Sequence, residues 1–175
     1  INRATMKLFN ACYYRAQFQK TVRRTVAYQP FFFPLDSVGE WNRLYGPNGF
    51  FQYQCVVPDD PRTIALLLTR IASSGQTPSL AVLKRFGNLK SPGLLSFPRP
   101  GLTLAVDFAN RGQETITFLG RLDDLVRDAG GAVYPAKDAR MSAADFQRFY
   151  PIWHAFAAHV DPHFSSSFWR RVTAA

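Results

Sequence analysis

Gln52 and Gln54 stand two residues apart in a segment that is otherwise apolar, Phe50-Phe51-Gln52-Tyr53-Gln54-Cys55-Val56-Val57. In an extended chain successive side chains point to opposite faces. Tyr53, Cys55 and Val57 therefore face a core, and Gln52 and Gln54 face away from it. There the two amides offer both donors and acceptors to a polar ligand. Leu102–Phe108 repeats the pattern, with Leu102, Leu104, Val106 and Phe108 inward and Thr103, Ala105 and Asp107 outward. Lys84 and Lys137 lie in two further extended segments and bring ammonium groups. Amides, a hydroxyl and two lysines on one surface suit a polar, anionic organic ligand. An aromatic lead-in comes first, Pro30-Phe31-Phe32-Phe33-Pro34-Leu35-Asp36, followed by Gly39-Glu40-Trp41-Asn42-Arg43. Its rings need burial, and the open face of a sheet is the free surface for them.

The elements that would position these residues follow from periodicity and punctuation. Residues 3–20 predict an amphipathic helix with Met6, Phe9, Tyr13 and Ala16 on one stripe. A basic, β-branched connector, residues 21–28, follows. Strands are expected at residues 51–57, 79–86, 102–108 and 132–137. Asp60 caps a helix with Pro61 at its first position, Ile64, Leu67, Leu68 and Ile71 as its buried stripe, and Gly75 at its end. A second helix over residues 114–129 buries Leu119, Leu122 and Val126 and stops at Gly130-Gly131. Ser142 and Asp145 open a last helical region with Phe146, Phe149, Tyr150 and Trp153 on one face, which Pro151 kinks or divides. Strand–helix–strand–strand–helix–strand is the order of a split βαβ, ferredoxin-like α+β fold. Its first and third strands are central neighbours, so Gln52, Gln54 and Thr103 converge on one patch bordered by Lys84 and Lys137.

At 175 residues the chain is one domain's worth, divided into a helix and connector over residues 1–30 and a main domain over 31–175. It is rich in aromatics, with 16 Phe, and strongly basic at +9. Arg15, Lys20, Arg23 and Arg24 cluster early, as a solvated face, a dock for another domain, or a contact for an anionic partner that leaves room for peripheral membrane association. No apolar run is long enough to span a bilayer. Cys12 and Cys55 form no ligand cluster or disulfide framework and are expected to be small buried residues, which fits a cytoplasmic protein. The start at Ile1, with neither an initiator Met nor a secretory pattern, is that expected of a piece of a longer chain.

The opening aromatic and glutamine motifs, taken with later segments, resemble a known family. Those segments are Lys84-Arg85-Phe86-Gly87, Leu95-Ser96-Phe97-Pro98-Arg99-Pro100-Gly101, Val106-Asp107-Phe108, Tyr134-Pro135-Ala136-Lys137-Asp138 and Asp161-Pro162-His163-Phe164-Ser165-Ser166. In that order they resemble the C-terminal, substrate-binding (cap) half of bacterial FAD-linked oxidases. These are flavoproteins like vanillyl-alcohol oxidase, and the branch is the one with the oxidase subunit of decaprenylphosphoryl-ribose 2'-epimerase.

The resemblance implies an N-terminal domain that holds FAD and an antiparallel sheet here that closes over the flavin ring. It implies oxidation of a secondary alcohol of a polar or phosphorylated, sugar-like substrate by hydride transfer to FAD, with the isolated piece inactive. By the same resemblance Lys137 is the catalytic lysine beside the flavin, and Tyr134 also faces the ring. On a regular strand those two have opposite parity, so a twist or bulge is expected there. Lys84 falls on the substrate side, Gln52 and Gln54 hold sugar hydroxyls, and Thr103 joins them. Phe32 and Leu35 line the mouth, with Trp41 and Arg43 behind. Phe32, Thr103 and Ala105 replace a Tyr, an Asn and a Cys of that branch, removing hydrogen-bonding groups from the pocket.

Other classes fit less well. A nucleic-acid module of this fold needs aromatics on the outer face of its third strand, whereas this one offers Thr103, Ala105 and Asp107. His154, His159 and His163 are broken by Pro162 and lack completing ligands, so no metal site is expected. Phosphate-cradling glycine loops are absent.

Overall fold

A computed structural model describes residues 3–37, 39–137 and 139–174. Helix α1 (Arg3–Arg15) and the short α2 (Tyr28–Phe32) precede two single 3-10 turns, Pro34–Ser37 and Trp41–Tyr45. The main body then runs β1 (Phe50–Val57), α3 (Pro61–Ser73), β2 (Ala81–Phe86), β3 (Gly101–Ala109), α4 (Gln113–Asp128) and β4 (Ala132–Val133). Helices α5 (Ala143–Phe149), α6 (Trp153–Ala157) and α7 (Ser167–Thr173) follow. The four strands form one antiparallel sheet in the order β2-β3-β1-β4, with β1 and β3 at its centre. This is the split βαβ order, in an α+β fold.

Local chemistry sets the helix ends. Asp60 Oδ1 accepts from the Arg62 N–H at 3.0 Å with Pro61 behind it, and Ser142 Oγ accepts from the Asp145 N–H at 3.1 Å. The inward faces of β1 and β3 bury Tyr53, Cys55, Val57, Leu104, Val106 and Phe108. Ile64, Leu67 and Ile71 of α3 and Phe118, Leu119, Leu122 and Val126 of α4 join the same core. Leu68 differs from expectation: it is 41% exposed, because one further residue turns it about 100° from Leu67 and off the stripe. As expected, Pro151 separates α5 from α6. Phe146, Phe149 and Tyr150 are buried, and Trp153 packs against them from outside.

Further expectations are corrected. Helix α1 stops at Arg15 rather than 20, and its Phe9–Tyr13 stack (6.0 Å) stays exposed, as does Cys12, because no layer of the described chain covers that face. The aromatic run does not lie on the sheet. It is helical, so Phe31, Phe32 and Phe33 splay around one turn and all remain exposed, Phe32 to 67%. The fourth strand has two residues in place of residues 132–137. Pro135 has no N–H to give to a ladder, and residues Pro135–Lys137 form a 3-10 turn.

Candidate functional site

The sheet face opposite α3 and α4 carries the polar residues. Register places Gln52 beside Asp107, Gln54 beside Ala105, Val56 beside Thr103, and Thr103 in turn beside Lys84 of β2. Gln52 Nε2 donates to Asp107 Oδ1 at 2.9 Å, and Gln54 Nε2 donates to Thr103 Oγ1 at 3.3 Å. Asp107 and Thr103 are each only 1% exposed, although they belong to the outward set. Other residues must therefore cover this face.

Two aromatic groups do so. At one end Tyr45 stacks on Phe50 at 4.4 Å and Trp41 meets Phe50 edge-on at 5.4 Å. The Tyr45 hydroxyl donates to Asp107 Oδ2 at 3.1 Å. At the other end Phe97, from the loop between β2 and β3, stacks on Tyr134 at 4.5 Å and meets Phe86 edge-on at 6.0 Å. That loop is pinned by Arg99, whose guanidinium donates to the Phe149 carbonyl at 3.2 Å and lies over the Tyr150 ring. Tyr150 closes the frame by donating to the Val133 carbonyl at 2.8 Å. Tyr45 and Phe97 are contributors that strand alternation did not select, whereas alternation placed Asp107 on this face without showing what would hold it. Phe97 sits in one of the segments carrying the family resemblance, whereas Tyr45 left no signal beyond following Trp41.

Lys137 and Tyr134 join the glutamines. Gln52, Gln54, Tyr134, Lys137 and Arg140 share the lining of a small hollow of about 20 Å³ at the β1–β4 edge with Phe51, Tyr53 and Leu119 of the core side. The Tyr134 N–H donates to the Gln54 carbonyl at 2.8 Å, carrying the β1 pairing one residue past β4. The parity conflict between Tyr134 and Lys137 disappears, because the chain turns at Pro135 instead of continuing as a strand. The turn is anchored by Arg140, whose Nη1 donates to Asp123 Oδ2 of α4 at 2.6 Å. Burial pushes the Asp123 carboxyl up, and the guanidinium counters that.

Lys84 stands exposed on the same open face, on the outer strand β2. Phe32 and Arg43 are not brought to this hollow. Arg43 is exposed, pairs with Glu40 at 2.8 Å, and lines a separate pocket of about 400 Å³ with Tyr45, Ser79, Asn110 and Arg111. The side chain of Leu35 lies outside the described residues, though its backbone is in the turn Pro34–Ser37.

The Tyr45 phenol is raised from 10.0 to about 12, first by burial, with the nearby Asp107 carboxylate adding to it. A raised folded-state value means that its contribution to stability is full below pH 10 and is lost as pH climbs toward 12. Tyr45→Phe is therefore expected to be less stable than the parent at pH 8, with the gap closing between pH 10 and 12. Urea midpoints measured across that range check this, and a gap that widens would contradict it.

No protein-family model matches the chain. It is 40% identical over 149 residues to a decaprenylphosphoryl-β-D-ribose oxidase of Mycolicibacterium smegmatis, a match covering 81% of this chain and 32% of that protein. Over most of its own length the chain is similar to a FAD-linked oxidase. An uncharacterized protein of the mprA 5' region of Streptomyces coelicolor is 35% identical over 131 residues, covering 71% of this chain and 35% of that protein. The chain thus spans about a third of the length of the curated relatives it matches. Among the described residues no helix is long and apolar enough to cross a membrane.

Proposed function

We propose that this chain is the substrate-binding part of a flavin-dependent oxidoreductase that oxidises a secondary alcohol of a sugar or sugar-like molecule. FAD is held mainly by an N-terminal domain of the whole protein. One observation supports this reading: Gln52, Gln54 and Lys84 share the sheet face opposite the helices, and Tyr134 and Lys137 lie at its β1–β4 edge, where the Tyr134 N–H bonds the Gln54 carbonyl. A flat aromatic ring, an ammonium and two amides suit a planar cofactor edge on one side and hydroxyl groups on the other.

FAD, when bound, supplies the acceptor for the hydride. Lys137 supplies a positive charge that favours an electron-rich ring or a phosphorylated substrate. Tyr134, fixed by Phe97, gives the ring a wall and keeps water from that side. Gln52 and Gln54 hold the sugar, buried Thr103 supports them from behind through its hydrogen bond with Gln54, and Lys84 offers a second cation on the same face. Phe32, Leu35 and Arg43 belong to the approach rather than to the hollow. The M. smegmatis relative is named for a ribose carried on decaprenyl phosphate, which supports a phosphorylated sugar as the substrate class. On its own this part of the protein is catalytically silent.

The test uses the whole protein. It is expected to show a flavin absorption band that bleaches when a prenylphosphoryl-ribose is added without oxygen. A colourless whole protein that cannot be reconstituted with FAD would sink the reading.

A further inference from the structure

Asp107 is buried to 1% exposure on the outward face of the sheet, which is an expensive place for a carboxyl group. Both of its oxygens are engaged. Oδ2 accepts from the Tyr45 hydroxyl at 3.1 Å and Oδ1 accepts from Gln52 Nε2 at 2.9 Å. A carboxylate only accepts hydrogen bonds, whereas an amide can present either end. The amide end of Gln52 is therefore bound to point at Asp107, and its carbonyl oxygen Oε1 is turned away, to the opposite side of the side chain. Tyr45 is held in turn by its stack on Phe50, so it prevents Asp107 from rotating.

We propose that Asp107 is a positioning residue that fixes the polarity of Gln52, so that the site recognises a substrate hydroxyl as a donor to the Gln52 carbonyl. This rests on the reading of the open sheet face as the substrate site. Gln54 follows the same direction, giving its N–H to Thr103 and leaving its own carbonyl for the ligand. Two neighbouring acceptors then select a ligand with two O–H donors, as a pair of sugar hydroxyls supplies. A ligand bearing only acceptors there would leave both carbonyls unpaired, which is where such sites discriminate most strongly.

The experiment is steady-state kinetics on the whole flavin-loaded protein with a prenylphosphoryl-ribose, and with analogues each lacking one ribose hydroxyl other than that oxidised. Gln52→Ala is expected to raise KM about tenfold with little change in kcat. The penalty should vanish for the one analogue that lacks the hydroxyl bound by Gln52. Gln52→Glu sets two carboxylates face to face and is expected to raise KM by at least as much. In Gln52→Glu/Asp107→Asn the hydrogen bond is remade in reverse, with Asn donating and an acceptor oxygen still facing the ligand. Recovery of most of the lost KM in that double variant supports the proposal. A double variant no better than Gln52→Glu overturns it, even if Gln52→Ala shows its effect. No KM change in Gln52→Ala means instead that the substrate binds elsewhere, which overturns the site reading itself. Asp107→Leu gives a further check where it folds: it should raise KM for the ribose compound and not for the analogue.

Discussion

Lys137→Met is expected to lower the rate of flavin reduction by substrate about 10²–10³-fold in the whole protein, the usual loss when one charge-stabilising group leaves a reacting centre. Lys137 is exposed at the end of a 3-10 turn, and its neighbours, the stacked Tyr134 and the Arg140–Asp123 pair, hold that turn without it. Removing an exposed ammonium of this kind shifts stability by only about 0.5 kcal/mol. Flavin content and the unfolding midpoint should therefore stay near those of the parent while single-turnover bleaching slows. That split distinguishes loss of a positive charge at the centre from general damage. An unchanged bleaching rate would remove Lys137 from the reaction and leave it as a surface charge.

Gly101→Ala is expected to cost the largest share of stability of any single methyl added to this chain, about 3 kcal/mol or more. Gly101 opens β3 with φ at 147°, a region that side chains rarely enter, and a Cβ there would sit 2.1 Å from the Val57 carbonyl oxygen. That oxygen belongs to the end of β1, where Val57 is registered against Leu102, so relief would require opening the central pair of strands. Because β1 and β3 carry Gln52, Gln54, Thr103 and Asp107, the same change would disperse the site. Gly112→Ala is the comparison. Gly112 also has positive φ, 67°, but an added Cβ meets nothing within 4 Å, so only the backbone cost of about 1–2 kcal/mol applies. Urea unfolding of the three proteins tests the ranking. Equal midpoints for the two alanine variants would show that Val57 does not crowd Gly101.

Much of the site was legible because strand alternation is a local, covalent property. Gln52, Gln54 and Thr103 could be assigned to one face from sequence, and so could the split βαβ order that makes β1 and β3 neighbours. Capping by Asp60 and Ser142 is equally local, since each hydroxyl or carboxyl bonds an N–H two or three residues on. Where local rules were extended into packing they failed. Phe31, Phe32 and Phe33 were expected on the sheet, but burial of a ring depends on what else reaches it, and a helical turn spreads three consecutive rings too widely for one surface. The parity rule for residues 132–137 broke at Pro135, whose missing N–H ends the ladder and lets Tyr134 and Lys137 line the same hollow.

The sequence by itself determined which side chains face out of the sheet and which face into the core, because the two-residue period of a strand leaves no other choice once the strand exists. Only the tertiary structure decided how those outward groups are held. Tyr45 meets Asp107 across 62 residues of chain, Gln52 meets it across 55, and Phe97 reaches Tyr134 from a loop. Such pairings have no period and no motif. They exist because burying a carboxyl group and a phenol requires partners, and the folded chain brings the partners that the local sequence lacks.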